Sequence, residues 1–193
     1  ILKEDEHARG RWRTMQGGAY TAVGVGGPIT GRGANIAVVD DPIKNREEAN
    51  SEVMRKKLWE WFTSTLFTRL EPNGVVIVMH TRWHMLDLVG MILANPELAP
   101  RTKHLHLPAL AEQREIHRNV DEPLWPERYT RNALMEIKNT VGPYDWASLY
   151  MGRPILTELQ EFKPAWFKET TEFQIDMMNC RRFLTIDTAM SKN

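Results

Sequence analysis

Cysteine is nearly missing from this chain. Cys180 is the single one in 193 residues, which excludes an internal disulfide framework and suits a reducing compartment. Net charge is missing too, because 25 basic side chains meet 25 acidic ones. That balance excludes a uniformly basic nucleic-acid coat but permits local patches such as His7-Ala8-Arg9-Gly10-Arg11-Trp12-Arg13, which reads as a solvated surface segment. No apolar run approaches the length needed to cross a bilayer, and no signal-peptide pattern opens the sequence, so a cytosolic protein without membrane contact is expected. Internal repeats and low-complexity tracts are lacking as well. So is a G-x-x-x-x-G-K-[ST] phosphate loop, and with it the lysine and backbone amides that grip a triphosphate. The first residue is Ile1, and residues 185–189 read as a strand whose sheet never follows; a fragment of a longer chain is the expectation.

What is present is ordinary globular composition, 42% apolar and 26% charged, enough for a real core in one domain or one domain and part of another. Its most informative stretch is Ile36-Ala37-Val38-Val39-Asp40-Asp41, entered through Gly31-Arg32-Gly33-Ala34. A short continuous apolar run bounded by turn residues predicts a strand covered on both faces, as in a parallel sheet. Ligands of such sheets sit beyond the carboxyl ends of the strands. Two adjacent carboxylates there repel each other, which a cation or a catalytic task would relieve. In P-loop ATPases the first acid of such a pair holds Mg²⁺ and the second polarises the attacking water. Asp41-Pro42 is equally good turn chemistry, so a plain strand-to-loop turn stays open.

Around this run the pattern is α/β. Ala19 to Val25 predicts a strand before a Gly26-Gly27-Pro28 turn. Asn45 with Glu48 forms a capping-box-like pair, and Ala49, Val53, Leu58, Trp61, Phe62, Leu66 and Leu70 predict one buried face along a helix over 46–70. Glu71-Pro72-Asn73-Gly74 ends it, and Val75 to Met79 predicts a second buried strand. Strand, helix and strand make a βαβ unit with a right-handed crossover. A short helix over 85–94, a third strand over 102–107, a polar linker over 108–128, a helix capped by Thr130 and running to about 140, and another over 144–151 complete the expectation.

The second strand ends in His80-Thr81-Arg82-Trp83-His84, beside the two acids if the strands are neighbours. Thr81 or Arg82 there can sense a γ-phosphate. The histidines lack a third ligand at metal-like spacing, so His80 and His84 read as ordinary surface residues and Trp83 as packing the sheet edge. Arg32 lies nine positions before Asp41 in a Gly-flanked loop. It can stabilise phosphoryl charge in its own site or a neighbour's, bind DNA phosphate, or pair with a surface carboxylate.

Taken in order, Gly24-Val25-Gly26-Gly27, Gly31 to Ala34, Ile36 to Pro42 with Lys44 and Glu48, and Val76 to His84 closely resemble the large terminase subunit of tailed bacteriophages and prophages. Trp125-Pro126-Glu127-Arg128-Tyr129, Tyr144 to Pro154 with Tyr150, and Phe162 to Phe167 resemble the region joining that family's ATPase to its nuclease, and Phe183 to Ala189 the nuclease's opening strand. The resemblance implies a parallel-sheet, P-loop NTPase-like partial domain over 1–110, a helical connecting region over 111–180, and the start of a ribonuclease H-like domain over 181–193. It implies ATP-driven packaging of double-stranded DNA into a capsid and cleavage of the concatemer, with ATP and Mg²⁺, and Mg²⁺ or Mn²⁺ for the nuclease. Asp40 would hold Mg²⁺ and Asp41 would stand for the catalytic acid, commonly a glutamate. Thr81 and Arg82 would belong to the coupling motif, Arg32 would be a candidate arginine finger acting between subunits, and Asp187 a nuclease metal ligand. The implied partners are double-stranded DNA, a portal protein, a small terminase subunit and further copies of the chain in a ring, in the host cytoplasm and transiently at the portal vertex. Another P-loop translocase or helicase, and a non-enzymatic relic of a decayed prophage, are the competing readings.

Overall fold

The computed structural model describes residues 2–8, 10–29 and 31–155. Within them the chain is mixed α/β, with two small sheets. The first is an antiparallel meander of β1 (Leu2–Ala8), β2 (Arg11–Thr14) and β3 (Ala19–Thr21). Trp12 and Tyr20 face each other across β2 and β3 and stack at 4.8 Å, a cross-strand aromatic pair of the kind that stabilises small sheets. The strand expected over 19–25 is therefore shorter and antiparallel.

The second sheet pairs β4 (Ala34–Asp40) with β5 (Leu70–Met79) in parallel. Between them run α1 (Arg46–Asn50), α2 (Glu52–Glu60), a π-helical turn (Trp61–Leu66) and a 3₁₀ turn (Phe67–Arg69). The βαβ expectation holds; the single helix over 46–70 does not. Asn45 caps α1 through the Glu48 amide at 2.9 Å, as the sequence predicts, but Ser51 interrupts the helix and caps a second one through the Met54 amide at 3.3 Å. A capping side chain that competes for backbone amides favours such a break. The buried guanidinium of Arg55 donates to the Ala49 carbonyl beside it.

β5 begins at Leu70 instead of Val75, and its register with β4 slips between Ala34 and Ile36. Extra residues on one strand make a bulge. Asn73 takes a positive φ of 66° there, and a Cβ on Gly74 would stand 2.9 Å from the Glu71 carbonyl oxygen. α3 (Leu88–Ala94) starts three residues later than predicted, capped by Asp87.

Ala49, Leu58, Phe62, Leu66, Leu88 and Ile92 pack with Val39 into the main core, joined by partly buried Ala37, Val76, Val78 and Trp83. One sheet face is thus covered. The other is bare among the described residues: Ile36 is 65% exposed and Ile77 45%, with Val38, Val75 and Met79 beside them. The prediction of a strand covered on both faces is corrected accordingly, and Val53, placed on the buried helix face, is 61% exposed. The third strand expected over 102–107 forms no ladder; those residues lie across a cavity from β5 and not against it.

A second core joins Leu110, Leu134 and Trp146. It straddles the boundary drawn at residue 110. The polar stretch read as a linker is held by Arg118, whose buried guanidinium donates to the Pro108 carbonyl at 3.0 Å and pairs with Glu115. Thr130 caps α4 (Arg131–Asp145) as expected, and a kink at Gly142, with φ 81° before Pro143, separates the last turn, which continues as a π-helical turn (Trp146–Tyr150). Tyr144 donates to the Trp83 carbonyl at 3.3 Å, and Arg46 pairs with Asp145, tying this region to the β5 end and to α1. Cys180, the stretch 162–167 and the strand read over 183–189 lie outside the described residues.

Candidate functional site

The parallel pairing brings the carboxyl ends of β4 and β5 side by side. Asp40 and Met79 are partners in the last rung of the ladder. Beyond it the two chains stay joined: the Asp41 amide donates to the Met79 carbonyl at 3.0 Å, and the Thr81 amide donates to Asp41 Oδ1 at 2.8 Å. Asp41 therefore reaches across to the neighbouring strand end through both its backbone and its side chain. Its φ is 37°, a left-handed conformation uncommon for a residue with a Cβ. Such strain, of order 1–3 kcal/mol, persists where surrounding bonds over-determine it. Asp40 carries its carboxylate in the open at the strand end.

Arg82 is tied inward. Its Nε lies 3.0 and 2.9 Å from the two carboxylate oxygens of Asp87, a side chain with no exposed surface. Asp87 also accepts from the Gly90 amide at 2.9 Å, which caps α3. Asp87 is the site residue that sequence reasoning missed. Its signal was an Asp just before the apolar run of α3, a helix-start pattern overlooked because the helix was begun at residue 85.

His80 is not the surface residue predicted. Its ring is fully buried, 3.8 Å from Asp41 at Nδ1 and 3.6 Å from Asp87 at Nε2, with no hydrogen-bond partner on either nitrogen. His84, by contrast, accepts from the Leu86 amide at Nδ1 and shapes the turn into α3. Burial pushes the His80 pKa below its ordinary 6.5; Asp87 and Asp41 oppose that shift and Arg82 adds to it. The folded protein holds the ring neutral where the unfolded chain would protonate it. The associated stability is complete above 6.5 and is lost as pH falls through the lower folded value. Unfolding temperature is expected to drop as pH falls below about 6.5, and to drop less in His80→Gln. An equal drop in both proteins, measured by thermal melts, would refute this.

A cavity of about 1050 Å³ opens beside these groups, lined by Asp40, Asp41, Thr81 and Arg82 and continuing along β5 to the segment 103–107. It is large enough for a nucleotide-sized ligand. No three His, Cys, Asp or Glu side chains converge into a metal cluster among the described residues.

Four of the predicted site residues, Asp40, Asp41, Thr81 and Arg82, thus meet at one edge. Arg32 does not join them. It is exposed in the loop before β4, at the opposite end of a seven-residue strand. Asp187 lies outside the described residues.

A family model described as terminase large subunit, T4likevirus-type, N-terminal, matches residues 9–169. The chain belongs to the terminase large subunit family. Membership gives it a part in DNA packaging. The match spans β2 and β3 of the meander, the parallel pair, the site and α4 of this terminase chain. No curated protein matches the chain. No helix among the described residues is long and apolar enough to cross a membrane.

Proposed function

We propose that this terminase chain carries part of the ATP-hydrolysing site of a DNA-packaging motor, within a longer protein that also cuts the packaged DNA. What supports the reading is one arrangement in a chain of this family: Asp40 and Asp41 end one parallel strand, and Asp41 is bonded to Thr81 at the end of the next. The donor set suits magnesium, which takes one or two carboxylates and completes its shell with water and substrate phosphates. An exposed Asp40 beside an anchored Asp41 offers that and no closed cage. When bound, the ion neutralises phosphate charge.

The residues divide the work. Asp40 would hold the cation; Asp41, its oxygen oriented by the Thr81 amide, would accept a hydrogen bond from the attacking water; Arg82 would carry the state of the site to α3 through Asp87. Asp41 is shorter than the usual glutamate, and its left-handed backbone re-aims the carboxylate toward β5. A phosphate-gripping loop, which this sequence lacks, would be needed beside these residues. Double-stranded DNA, a portal and a small terminase subunit would be its partners in the assembled ring. Asp187 serves the nuclease.

The experiment compares the full-length parent with the 193-residue chain. The parent is expected to show Mg²⁺-dependent ATP turnover stimulated by double-stranded DNA, and metal-dependent nicking. The shorter chain is expected to show neither. Asp187→Ala in the parent should stop nicking and leave the ATPase intact, because a two-metal site does not survive loss of a ligand. A parent without DNA-stimulated turnover, or a short chain that hydrolyses ATP robustly, would overturn the reading.

A further inference from the structure

The mechanism above leaves one fully buried group of the site without a task, the imidazole of His80, which lies beside the equally buried carboxylate of Asp87. The two stand in a row with Asp41 and Arg82. Asp41 faces His80 Nδ1 at 3.8 Å, His80 Nε2 faces Asp87 at 3.6 Å, and Asp87 holds Arg82 at 2.9 Å. A buried histidine normally satisfies at least one ring nitrogen, and here neither is satisfied. Both gaps are slightly longer than a hydrogen bond.

We propose that His80 and Asp87 are positioning residues that join Asp41 to Arg82, so that the attacking-water end of the site and the start of α3 move together. The proposal rests on the ATPase reading. A neutral imidazole has one N–H, so it can close on Asp41 or on Asp87 but cannot donate to both. Shortening one contact lengthens the other. When the charge around Asp41 changes during turnover, the ring's better partner changes, and the displacement reaches Asp87.

Asp87 cannot yield alone. The same carboxylate holds Arg82 Nε and caps α3 through the Gly90 amide. Gly90 itself must lack a side chain, because a Cβ there would collide with the Met85 carbonyl and stand 3.3 Å from Arg82 Nη2. Arg82, Asp87 and the first turn of α3 therefore shift as a unit or not at all. No proton leaves the array in this scheme; one hydrogen bond is exchanged for another.

The test uses the full-length parent with steady-state ATP hydrolysis on double-stranded DNA. Asp87→Asn keeps a good helix cap while Arg82 and His80 lose their charged partner, and a thermal melt checks that it folds. His80→Leu fills the space and removes both ring nitrogens. Each is expected to lower kcat on the order of tenfold or more with KM for ATP within about twofold, as misplacement of a remote group does. Groups acting as one unit are not additive, so the double variant should be no slower than the slower single variant. His80→Asn, which puts an amide near Nδ1, should recover part of the loss.

Wild-type kcat in both folded single variants, or a double variant that loses the product of the two effects, would overturn the proposal. Where His80→Leu fails to fold, Asp87→Asn and His80→Asn decide alone. Wild-type turnover measured alongside separates the layers: an active wild type with fully active variants removes the array and spares the ATPase reading, whereas an inert wild type removes both.

Discussion

Asp40→Asn in the full-length parent is expected to lower Mg²⁺-dependent ATP turnover by about a hundredfold or more, the usual cost of losing a well-placed charge at a phosphoryl-transfer site. The substitution keeps the shape of the side chain and removes its charge. Asp40 closes the parallel ladder opposite Met79, and its side chain lies in the open beside the cavity instead of in the core. Folding should therefore be spared, which a thermal melt would verify. Asp41→Asn differs in kind. The amide oxygen of Asn can still accept from the Thr81 amide, so the strand-to-strand link at 2.8 Å survives while the charge near the water is lost. The two variants should then separate by metal dependence. Raising Mg²⁺ should recover part of the Asp40→Asn deficit and none of the Asp41→Asn deficit. Turnover of Asp40→Asn within about threefold of wild type would remove Asp40 from the metal site.

Much of this site was legible because it is local. An apolar run ending in two acids, a capping pair at Asn45 and Glu48, and a second apolar run at the right distance all follow from backbone and burial preferences of nearby residues. The two acids and the segment His80 to Arg82 could be placed together once the strands were read as neighbours. What escaped depends on contacts distant in sequence. Alternation cannot say whether a second layer covers Ile36, Val38 and Ile77, and among the described residues none does. Residues 102–107 have strand-like character, but a ladder needs a partner edge within reach, and the cavity intervenes. His80 looked superficial because its neighbours in sequence are polar. Its burial comes from α3 folding back so that Asp87 meets Arg82 and closes over the ring. Ser51 was missed for the opposite reason: a single local cap outweighed a long apolar periodicity.

Arg32→Ala is expected to leave basal turnover of an isolated parent subunit unchanged and to depress turnover of the assembled, DNA-bound ring by about a hundredfold. The residue's chemistry alone leaves open whether this arginine serves its own site or another's, the resemblance implies another's, and the strand direction argues against its own. β4 runs seven residues from Ala34 to Asp40. At about 3.3 Å per residue that is roughly 20 Å, far beyond the reach of an arginine side chain. The loop that carries Arg32 is also fixed at that end. Gly31 takes a positive φ of 76°, and Gly33 has no room for a Cβ because the Glu71 side chain lies against it. Exposed there, the guanidinium can meet phosphoryl charge in an adjacent copy. Rings assembled from equal amounts of Arg32→Ala and Asp41→Asn subunits test the direction. An Arg32→Ala subunit keeps its own acids, and an Asp41→Asn neighbour still presents an intact arginine, so some interfaces in the mixed ring are complete. Mixed rings should then exceed both single-variant rings in ATP turnover. Activity equal to the average of the two would show that no arginine crosses the interface, and Arg32 would be left as a DNA-phosphate contact, with its loss weakening DNA binding in a salt-dependent way.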